Sequence, residues 1–339
     1  MNLKHLSGKT MLITGGTGSL GKNFAKYILA HSAVKKLIIF SRDEFKQFQM
    51  EAELKDDRVR FFIGDVRDLS RLQRAFSGVD IVVHAAALKQ VPALEYNPFE
   101  AVKTNILGTQ NVIEAAIDQK VQKVVFISTD KAAMPANLYG ATKLCAEKLI
   151  VAGNAYTSED GTAFSAVRYG NVVGSRGSIV EKLILEKGAP TVQITDEEMT
   201  RFWIDLEQAF EIVLYAIENM QGGEIFIPKA ATMKLTDLFD VLAPNAKRNI
   251  IGIRPGEKVH ETLLTPEEAR HAVEIEDYFV ILPEHLSTAR QKKGVQKLLK
   301  QGKKLKSGFH FTSNSESNRM SQKTLLQIVA QMEKRLRNK

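Results

Sequence analysis

The stretch KTMLITGGTGSLG, Lys9 to Gly21, decides the fold of this chain. Residues 9–14 form an apolar run that predicts a buried strand, and a glycine-rich turn follows it at once. Apolar residues then recur at helical spacing from Leu20 onward. Strand, glycine turn and helix in this order are the context that a dinucleotide-binding fingerprint requires, whereas a glycine triplet alone would be read as a structural turn.

Three glycines of this turn have separate expected tasks. Gly15 allows the tight turn, Gly18 lets backbone N–H groups approach a pyrophosphate, and Gly21 lets the helix pack on the strand. The N-terminus of the helix then favours the phosphate charge. The sequence therefore predicts dinucleotide binding here.

Short apolar segments alternate with helical patterns through residue 170. This alternation predicts an α/β fold, a Rossmann-type doubly wound parallel sheet, with a second, smaller mixed α/β substrate domain. We expect the Rossmann domain over residues 1–173, with a return near 203–228, and the substrate domain with a C-terminal extension over 174–339. Expected strands are Lys9–Thr14, Lys36–Phe40, Val59–Ile63, Ile81–Ala87, Val124–Ser128, Phe164–Arg168 and Thr191–Thr195, and expected helices are Phe99–Ile117, Asp205–Asn219 and Gln322–Arg337.

The composition is that of a soluble globular protein, with 44% apolar and 25% charged residues among 339. The single cysteine, Cys145, cannot form an internal disulfide, and we see neither a signal peptide nor a run of about 20 apolar residues. We therefore expect a cytoplasmic protein without a metal site. The net charge of +8 resides in Arg290–Lys306, which has eight basic residues and no acid. A solvated surface is the favoured interpretation of that segment, ahead of contacts to nucleic acid, membrane or a neighbouring subunit.

The second strand ends in Ser41-Arg42-Asp43-Glu44, with Lys46 beyond. An acid at this strand end is typical of NAD-binding sites, because it holds the ribose 2′-hydroxyl. A hydroxyl and a guanidinium suit the 2′-phosphate of NADP instead. The sequence favours NADP, although the nearby Asp43 leaves an ordinary surface ion pair as an alternative.

The densest group of reactive side chains lies in STDKAAMPANLYGATK, Ser128 to Lys143. Tyr139 and Lys143 are one helical turn apart and share a face. A nearby ammonium lowers the tyrosine pKa from about 10, so that the phenolate can take a hydroxyl proton while a hydride leaves the same carbon. Thr129 can orient that alcohol, and Asp130 with Lys131 adds an acid/base pair. The alternative for this pair is a turn with solvated charges.

TGGTGSLG, STDKA, YGATK and RYGNVVGSRGS resemble the extended short-chain dehydrogenase/reductase superfamily. Within it they are similar to the inverting UDP-N-acetylglucosamine 4,6-dehydratases of pseudaminic acid synthesis, from about Leu6 to about Leu286. The most specific element is STDK followed by YGATK after seven residues. The resemblance implies oxidation at C4, removal of H5 by Lys131, protonation of the 6-hydroxyl by Asp130, hydride return to C6 and inversion at C5. Because Asp130 should raise the pKa of Lys131, a neutral Lys131 base needs desolvation to prevail.

The resemblance also implies an NADP cofactor, a UDP-N-acetylglucosamine substrate and a homo-oligomer, without nucleic acid or membrane partners. The expected catalytic residues are Thr129, Asp130, Lys131, Tyr139 and Lys143. The expected cofactor contacts are Gly15, Thr17, Gly18, Ser19, Leu20, Gly21, Ser41, Arg42, Asp43, Glu44, Lys46, Asp65, Val66, Ala85, Ala86, Ala87, Asn105, Ser128, Tyr139 and Lys143. The expected substrate contacts are Lys89, Asn171, Val172, Thr195, Met199, Arg254 and Glu257, with Arg176 and Arg201 as weaker candidates. His84 is expected to be a core histidine.

Three alternatives stay open at this point. A retaining 4,6-dehydratase or a nucleotide-sugar 4-epimerase shares everything except the use of Lys131. A cofactor-sensing Rossmann protein without turnover is more remote, because it would not need Thr129, Tyr139 and Lys143.

Overall fold

The computed structural model describes residues 3–173, 179–185 and 190–337. Its strands are β1 Thr10–Thr14, β2 Lys36–Ser41, β3 Val59–Ile63, β4 Ile81–His84, β5 Lys123–Ile127, β6 Ala163–Val167, β7 Asn171–Val172, β8 Thr191–Ile194, β9 Thr200–Ile204, β10 Ile225–Pro228, β11 Ala231–Lys234, β12 Lys247–Ile250, β13 Thr262–Leu264, β14 Ala272–Ile275, β15 Tyr278–Ile281, β16 Lys303–Lys304 and β17 Phe311–Thr312. Its α-helices are α1 Ser19–His31, α2 Glu44–Leu54, α3 Leu69–Phe76, α4 Val91–Tyr96, α5 Pro98–Ala101, α6 Gly108–Asp118, α7 Leu138–Ala152, α8 Ile179–Leu185, α9 Leu206–Asn219, α10 Leu235–Leu242, α11 Pro266–Ala269, α12 Ala289–Gln301 and α13 Gln322–Arg337.

The main sheet has the strand order β16-β14-β15-β10-β6-β5-β4-β1-β2-β3. Strands β1 to β6 and β10 run parallel, while β14, β15 and β16 pair antiparallel. All five residues of β1 are buried, as expected of a parallel strand covered on both faces. Strand order reverses between β1 and β4, and the carboxyl ends there form the crevice in which such sheets bind ligands. The predicted Rossmann-type doubly wound sheet is confirmed.

The second half contributes both to this sheet and to a smaller unit. The smaller unit contains the sheet β11-β9-β7 and the pair β8–β12. A second apolar cluster, centred on Trp203, Leu238 and Phe239, packs within it and is separate from the main core. Strands β14, β15 and β16 come from residues 272–304 and extend the main sheet. The expected domain division at residue 173 stays a prediction.

Two predicted elements differ from the structure. Strand β4 ends at His84, so Ala85 to Ala87 form a loop rather than the end of the strand. The helix expected over Phe99–Ile117 is interrupted by a π-helical stretch, Val102–Leu107. A π-helical segment inside a helix is often found at a functional site, and this one contains Asn105.

Other predictions hold closely. Helix α9 begins after Asp205, whose carboxylate forms a capping box with Gln208. His84 is fully buried between the hydroxyls of Thr14 and Thr109, as expected of a core histidine. The basic segment forms most of α12, and its lysines are exposed. In the part of the chain that the structure describes, no helix has the length and apolar character needed to cross a membrane.

Candidate active site

A cavity of about 680 Å³ runs along the carboxyl ends of the central strands. It extends from the glycine turn after β1, past the ends of β2 and β3, to the start of α7. Its predicted lining residues are Gly15, Thr17, Gly18, Ser19, Leu20, Gly21, Ser41, Arg42, Asp43, Lys46, Asp65, Val66, Ala85, Ala86, Ala87, Lys89, Ser128, Thr129, Lys131, Tyr139, Lys143, Asn171 and Val172. Most of the residues that line this cavity are therefore site residues that the sequence predicts.

The glycine turn is shaped for close approach. Gly15 has φ +64°, and a Cβ there would lie 2.8 Å from the Cα of Ala86. A Cβ on Gly21 would lie 2.7 Å from the Cα of Gly16, so the helix packs against the turn only without a side chain. The hydroxyls of Thr104 and Ser128 are buried in the cavity wall without a hydrogen-bond partner in the described residues. This cradle and these polar atoms fit a dinucleotide.

The end of β2 presents Arg42 and Lys46 to the cavity, each of them next to an acid. The guanidinium of Arg42 is half exposed and lies 3.4 Å from the carboxylate of Asp65. Asp43 instead caps α2 and forms an ion pair with Lys46, and the hydrogen bond from Lys46 holds the pKa of Asp43 below its usual range. The acid at this strand end is thus engaged within its own helix turn.

The chain leaves β5 through Ser128 and enters a 3₁₀ turn, Asp130–Ala132, that holds the acid/base pair. The side chain of Thr129 caps this turn and donates to Oδ1 of Asp130 at 3.0 Å. The Nζ atom of Lys131 donates to the same Oδ1 at 3.0 Å. Asp130 is fully buried behind the cavity wall, and its Oδ2 has no hydrogen-bond partner in the described residues. Lys131 lines the cavity, whereas Asp130 does not.

The charges of this pair are strongly coupled. Burial raises the pKa of Asp130, and Lys131 opposes that effect. Burial alone would lower the pKa of Lys131, but the carboxylates of Asp130 and Glu261 outweigh it and raise that pKa. The raised pKa of Lys131 favours its ammonium form. The expectation that Asp130 raises the pKa of Lys131 is confirmed.

Helix α7 supplies the redox pair. Asn137 caps it by accepting from the backbone N–H of Gly140, which begins the helix where Tyr139 faces the cavity. The Nζ atom of Lys143 donates to the carbonyl of Ile127 at 2.5 Å and lies 3.8 Å from the centre of the Phe126 ring. Burial lowers the pKa of Lys143 to about 7, against the attraction of Glu147.

The expected lowering of the Tyr139 pKa by Lys143 is not what the structure gives. Burial raises the pKa of Tyr139, and the groups that oppose the shift are Lys131 and a hydrogen bond with Thr129. Thr129 therefore touches both the phenol and the acid/base pair. This contact connects a group suited to alcohol oxidation with a group suited to elimination.

Three other predicted site residues lie outside the cavity lining. Glu44 is the exposed first residue of α2. Asn105 is buried and bonds the backbone N–H and C=O of Leu88 and the hydroxyl of Thr142, so it holds the loop after β4 against α7. Asp130 lies behind the wall, as described above.

The remaining predicted substrate residues belong to the smaller unit. Thr195 donates to the sulfur of Met199, which is buried in the second apolar cluster. Arg254 and Glu257 face each other across an exposed turn, with 3.9 Å between Nη1 and Oε1. The structure does not bring these four residues to the cavity wall, and their roles stay predictions. Arg176 lies outside the described residues.

Sequence reasoning missed several charged residues near the site. Glu261 lies 3.4 Å from Nζ of Lys131, and Lys258 lies 2.8 Å from Glu261. Arg168, fully buried at the end of β6, pairs with Glu147 of α7 and Glu268 of α11. Apart from Lys258 and Glu261, which are three positions apart, these pairs join residues 21 to 130 positions apart, and no local motif marks them. Tyr169 and Gly170 also line the cavity, and their place after a strand in RYGN was the available signal.

A doubly wound sheet with a glycine turn after β1 and a Tyr-x-x-x-Lys pair at the start of α7 defines the extended short-chain dehydrogenase/reductase class. The family of polysaccharide biosynthesis proteins matches residues 11–283, and the chain belongs to this family.

Three known proteins indicate its closer relations. The chain is 48% identical over 326 residues to a UDP-N-acetylglucosamine 4,6-dehydratase (inverting) of Campylobacter jejuni strain 81-176, covering 95% of this chain and 98% of that protein. It is 43% identical over 281 residues to a UDP-glucose 4-epimerase of Rickettsia rickettsii, covering 80% and 82%. The X-ray structure of Pen from Bacillus thuringiensis superposes with a TM-score of 0.86 at 39% identity, covering 97% and 99%.

Proposed function

We propose that this protein is an inverting UDP-N-acetylglucosamine 4,6-dehydratase, a hydro-lyase that works with a nicotinamide dinucleotide. The observation that carries the proposal is the Asp130–Lys131 pair, hydrogen-bonded at 3.0 Å and joined through Thr129 to Tyr139. Oxidation of an alcohol alone, or epimerisation at C4, has no need of this second acid/base pair. The name and near full-length coverage of the Campylobacter relative support the same reaction.

The glycine turn from Gly15 to Gly21 would hold the cofactor, which would supply the acceptor and donor of hydride. Tyr139, assisted by Lys143, takes the proton of the 4-hydroxyl as the C4 ketone forms. The ketone makes the proton on C5 acidic. Lys131 then removes H5, and Asp130 protonates the departing 6-hydroxyl.

A hydrogen-bonded pair of an ammonium and a carboxylate is compatible with this chemistry. An ammonium with a carboxylate contains the same number of protons as an amine with a carboxylic acid. Transfer of one proton across the 3.0 Å hydrogen bond therefore gives Lys131 and Asp130 the forms that elimination needs, without exchange with solvent. Exclusion of water by bound substrate favours the neutral pair, because both charges lose hydration. Elimination places H5 on Lys131 and the proton of Asp130 on the released water, so the ion pair returns. Addition of hydride at C6 and of a solvent proton at C5, on the face opposite to the lost H5, would then complete the 6-deoxy product.

For the cofactor we propose NADP. Ser41, Arg42 and Lys46 line the cavity at the end of β2, and Asp43 is engaged as a helix cap. A guanidinium beside a hydroxyl suits a 2′-phosphate dianion, whereas an NAD site would offer a free carboxylate to the 2′-hydroxyl.

For the sugar nucleotide we propose contacts with Lys89, Asn171 and Val172 in the cavity and with the Thr195, Met199, Arg254 and Glu257 region of the smaller unit. The product would enter pseudaminic acid synthesis, and we propose a cytoplasmic homo-oligomer. The smaller unit would approach the cavity when the diphosphate binds, since Arg254 is exposed and suited to phosphate.

The decisive experiment is incubation of the protein with UDP-N-acetylglucosamine in deuterated water, followed by NMR. We expect a 6-deoxy-4-keto product with deuterium at C5 and the L-arabino configuration. A product that keeps its 6-hydroxyl and differs only at C4 would favour the second candidate, the 4-epimerase that the Rickettsia relative is named for. A 6-deoxy product with unchanged configuration at C5 would indicate a retaining dehydratase.

The Lys131→Ala variant tests the role of the pair. Because general acid/base groups contribute roughly 10²–10⁴-fold, we expect dehydration to fall by that factor while cofactor binding is kept. Near-normal turnover of Lys131→Ala would remove Lys131 from the mechanism.

A further inference from the structure

Glu261 is a buried acid that lies between two lysines beside the acid/base pair. It is 2% exposed. Its Oε1 lies 3.4 Å from Nζ of Lys131, and its Oε2 lies 2.8 Å from Nζ of Lys258. The Nζ atom of Lys131 also lies 3.0 Å from Oδ1 of Asp130, so two carboxylates flank this amine.

The position of Glu261 is fixed independently of Lys131. Its backbone N–H donates to the hydroxyl of Ser313 at 2.8 Å, and its carbonyl accepts from the N–H of Ser313 at 2.8 Å. The Ser313 hydroxyl is in turn bonded to the hydroxyl and carbonyl of Thr200. Lys258 donates to the carbonyl of Ala133 at 3.1 Å, which ties the segment to the catalytic turn. Ser313 thus fixes the backbone of Glu261, and Lys258 holds its carboxylate.

The charged groups that face Glu261 come from several elements. Lys131 and Asp130 come from the 3₁₀ turn, Arg201 from β9, and Lys258 from its own segment. The neighbouring His260 is bonded to Thr200. Burial acts to raise the pKa of Glu261, but Lys131, Lys258 and Arg201 together lower it, so the carboxylate stays ionised.

We propose that Glu261 is a positioning residue for Lys131, holding its amine toward C5 and stabilising the ammonium that forms as H5 is removed. This inference rests on the proposed dehydratase function. The two carboxylates then have different tasks: Asp130 gives up a proton to the leaving hydroxyl, and Glu261 keeps its charge. A base whose orientation is fixed by a third group is a recurrent catalytic arrangement.

The test compares Glu261→Gln, which keeps the shape and removes the charge, with the wild-type protein carrying NADP. Because loss of one oriented charge contact typically costs about tenfold or more in the step it assists, we expect kcat for dehydration to fall by at least that factor while KM changes by less than about twofold. In single turnover we expect reduced nicotinamide to accumulate, because oxidation at C4 continues while elimination is slow.

The pH profile gives a readout that a structural role would not move. Removing a negative charge lowers the pKa values of nearby groups, so both limbs of the dehydration profile should move to lower pH in Glu261→Gln by about one unit. Lys258→Gln removes a positive charge, and its limbs should move to higher pH. Glu261→Asp should restore part of the rate.

Glu267→Gln is the matched control. Glu267 is exposed on α11, and its replacement by glutamine removes one negative charge from the same region. An unchanged kcat and unmoved pH limbs in Glu261→Gln would overturn the proposal. A lower thermal stability of Glu261→Gln, with a higher KM and an unmoved pH profile, would also overturn the proposal, because that pattern is expected of a residue with only a structural role. If Glu261→Gln does not fold, two other variants still test the proposal. Lys258→Gln tests it through the direction in which the pH limbs move, and Glu261→Asp tests it through the rate of dehydration. Failure of the dehydratase function itself would be recognised separately, by a wild-type protein that forms no 6-deoxy product.

Discussion

Replacement of Lys143 by Met should make the nucleotide-free protein more stable while it abolishes catalysis. Lys143 is 3% exposed, and burial lowers its pKa from 10.5 to about 7. Near neutral pH the folded protein therefore holds a poorly solvated ammonium, which methionine replaces with an apolar chain of similar length. Catalytic sites commonly store instability in this way.

The magnitude follows from the pKa shift and the contacts that are lost. At about 1.4 kcal/mol per pH unit, a fall from 10.5 to about 7 corresponds to about 5 kcal/mol of destabilisation in the charged form. The variant leaves the carbonyl of Ile127 without its 2.5 Å partner, which costs about 1–3 kcal/mol. The net gain is thus about 2–4 kcal/mol. With an unfolding entropy of about 2.1 cal/mol/K per residue, this raises Tm of a 339-residue chain by about 3–6 °C.

Thermal unfolding of both proteins between pH 6 and 10 measures this effect. The pKa of Lys143 is lower in the folded than in the unfolded protein. The free energy of unfolding of the wild type therefore falls as the pH drops from 10.5 to about 7, and it recovers as the pH rises again toward 10.5. The advantage of Lys143→Met should be greatest at and below pH 7 and should shrink toward pH 10. A lower Tm for Lys143→Met than for the wild type at pH 6 would refute the assignment of a poorly solvated charge at this position. A difference in Tm between the two proteins that does not vary with pH would refute it as well.

Two further predictions concern charges elsewhere in the fold and the site. Arg168→Met should lower the free energy of unfolding by about 3–5 kcal/mol, because it leaves the fully buried Glu147 without its partner. Urea denaturation measures this free energy. A loss below about 1 kcal/mol would contradict the role of this ion pair. Arg42→Ala should weaken NADP about tenfold and leave NAD nearly unchanged, because one guanidinium–phosphate contact is worth about 1.4 kcal/mol or more. Titration of the two nucleotides measures this, and equal weakening of both would argue against a 2′-phosphate contact.

Local patterns predicted much of the fold. The apolar run before the glycine turn of Gly15 to Gly21 is buried strand β1, and Val59–Ile63 and Gln322–Arg337 match the observed elements end to end. These predictions succeed because strand burial, helical spacing and capping are properties of neighbouring residues. The π-helical stretch around Asn105 was not predictable in this way. Within this stretch Asn105 forms hydrogen bonds with Leu88 and Thr142, which are distant in sequence and which no local pattern reveals.

The sequence by itself determined the catalytic candidates, since Thr129, Asp130, Lys131, Tyr139 and Lys143 lie within one short stretch and their chemistry follows from type and spacing. Only the tertiary structure decided their charge states. The carboxylate of Glu261 comes from 130 positions away to meet Lys131. The amine of Lys143, whose pKa is lowered by burial, contacts Phe126 and Ile127 of β5. The physical reason is that pKa values depend on solvent exclusion and on charges close in space, and neither is visible until the chain has folded.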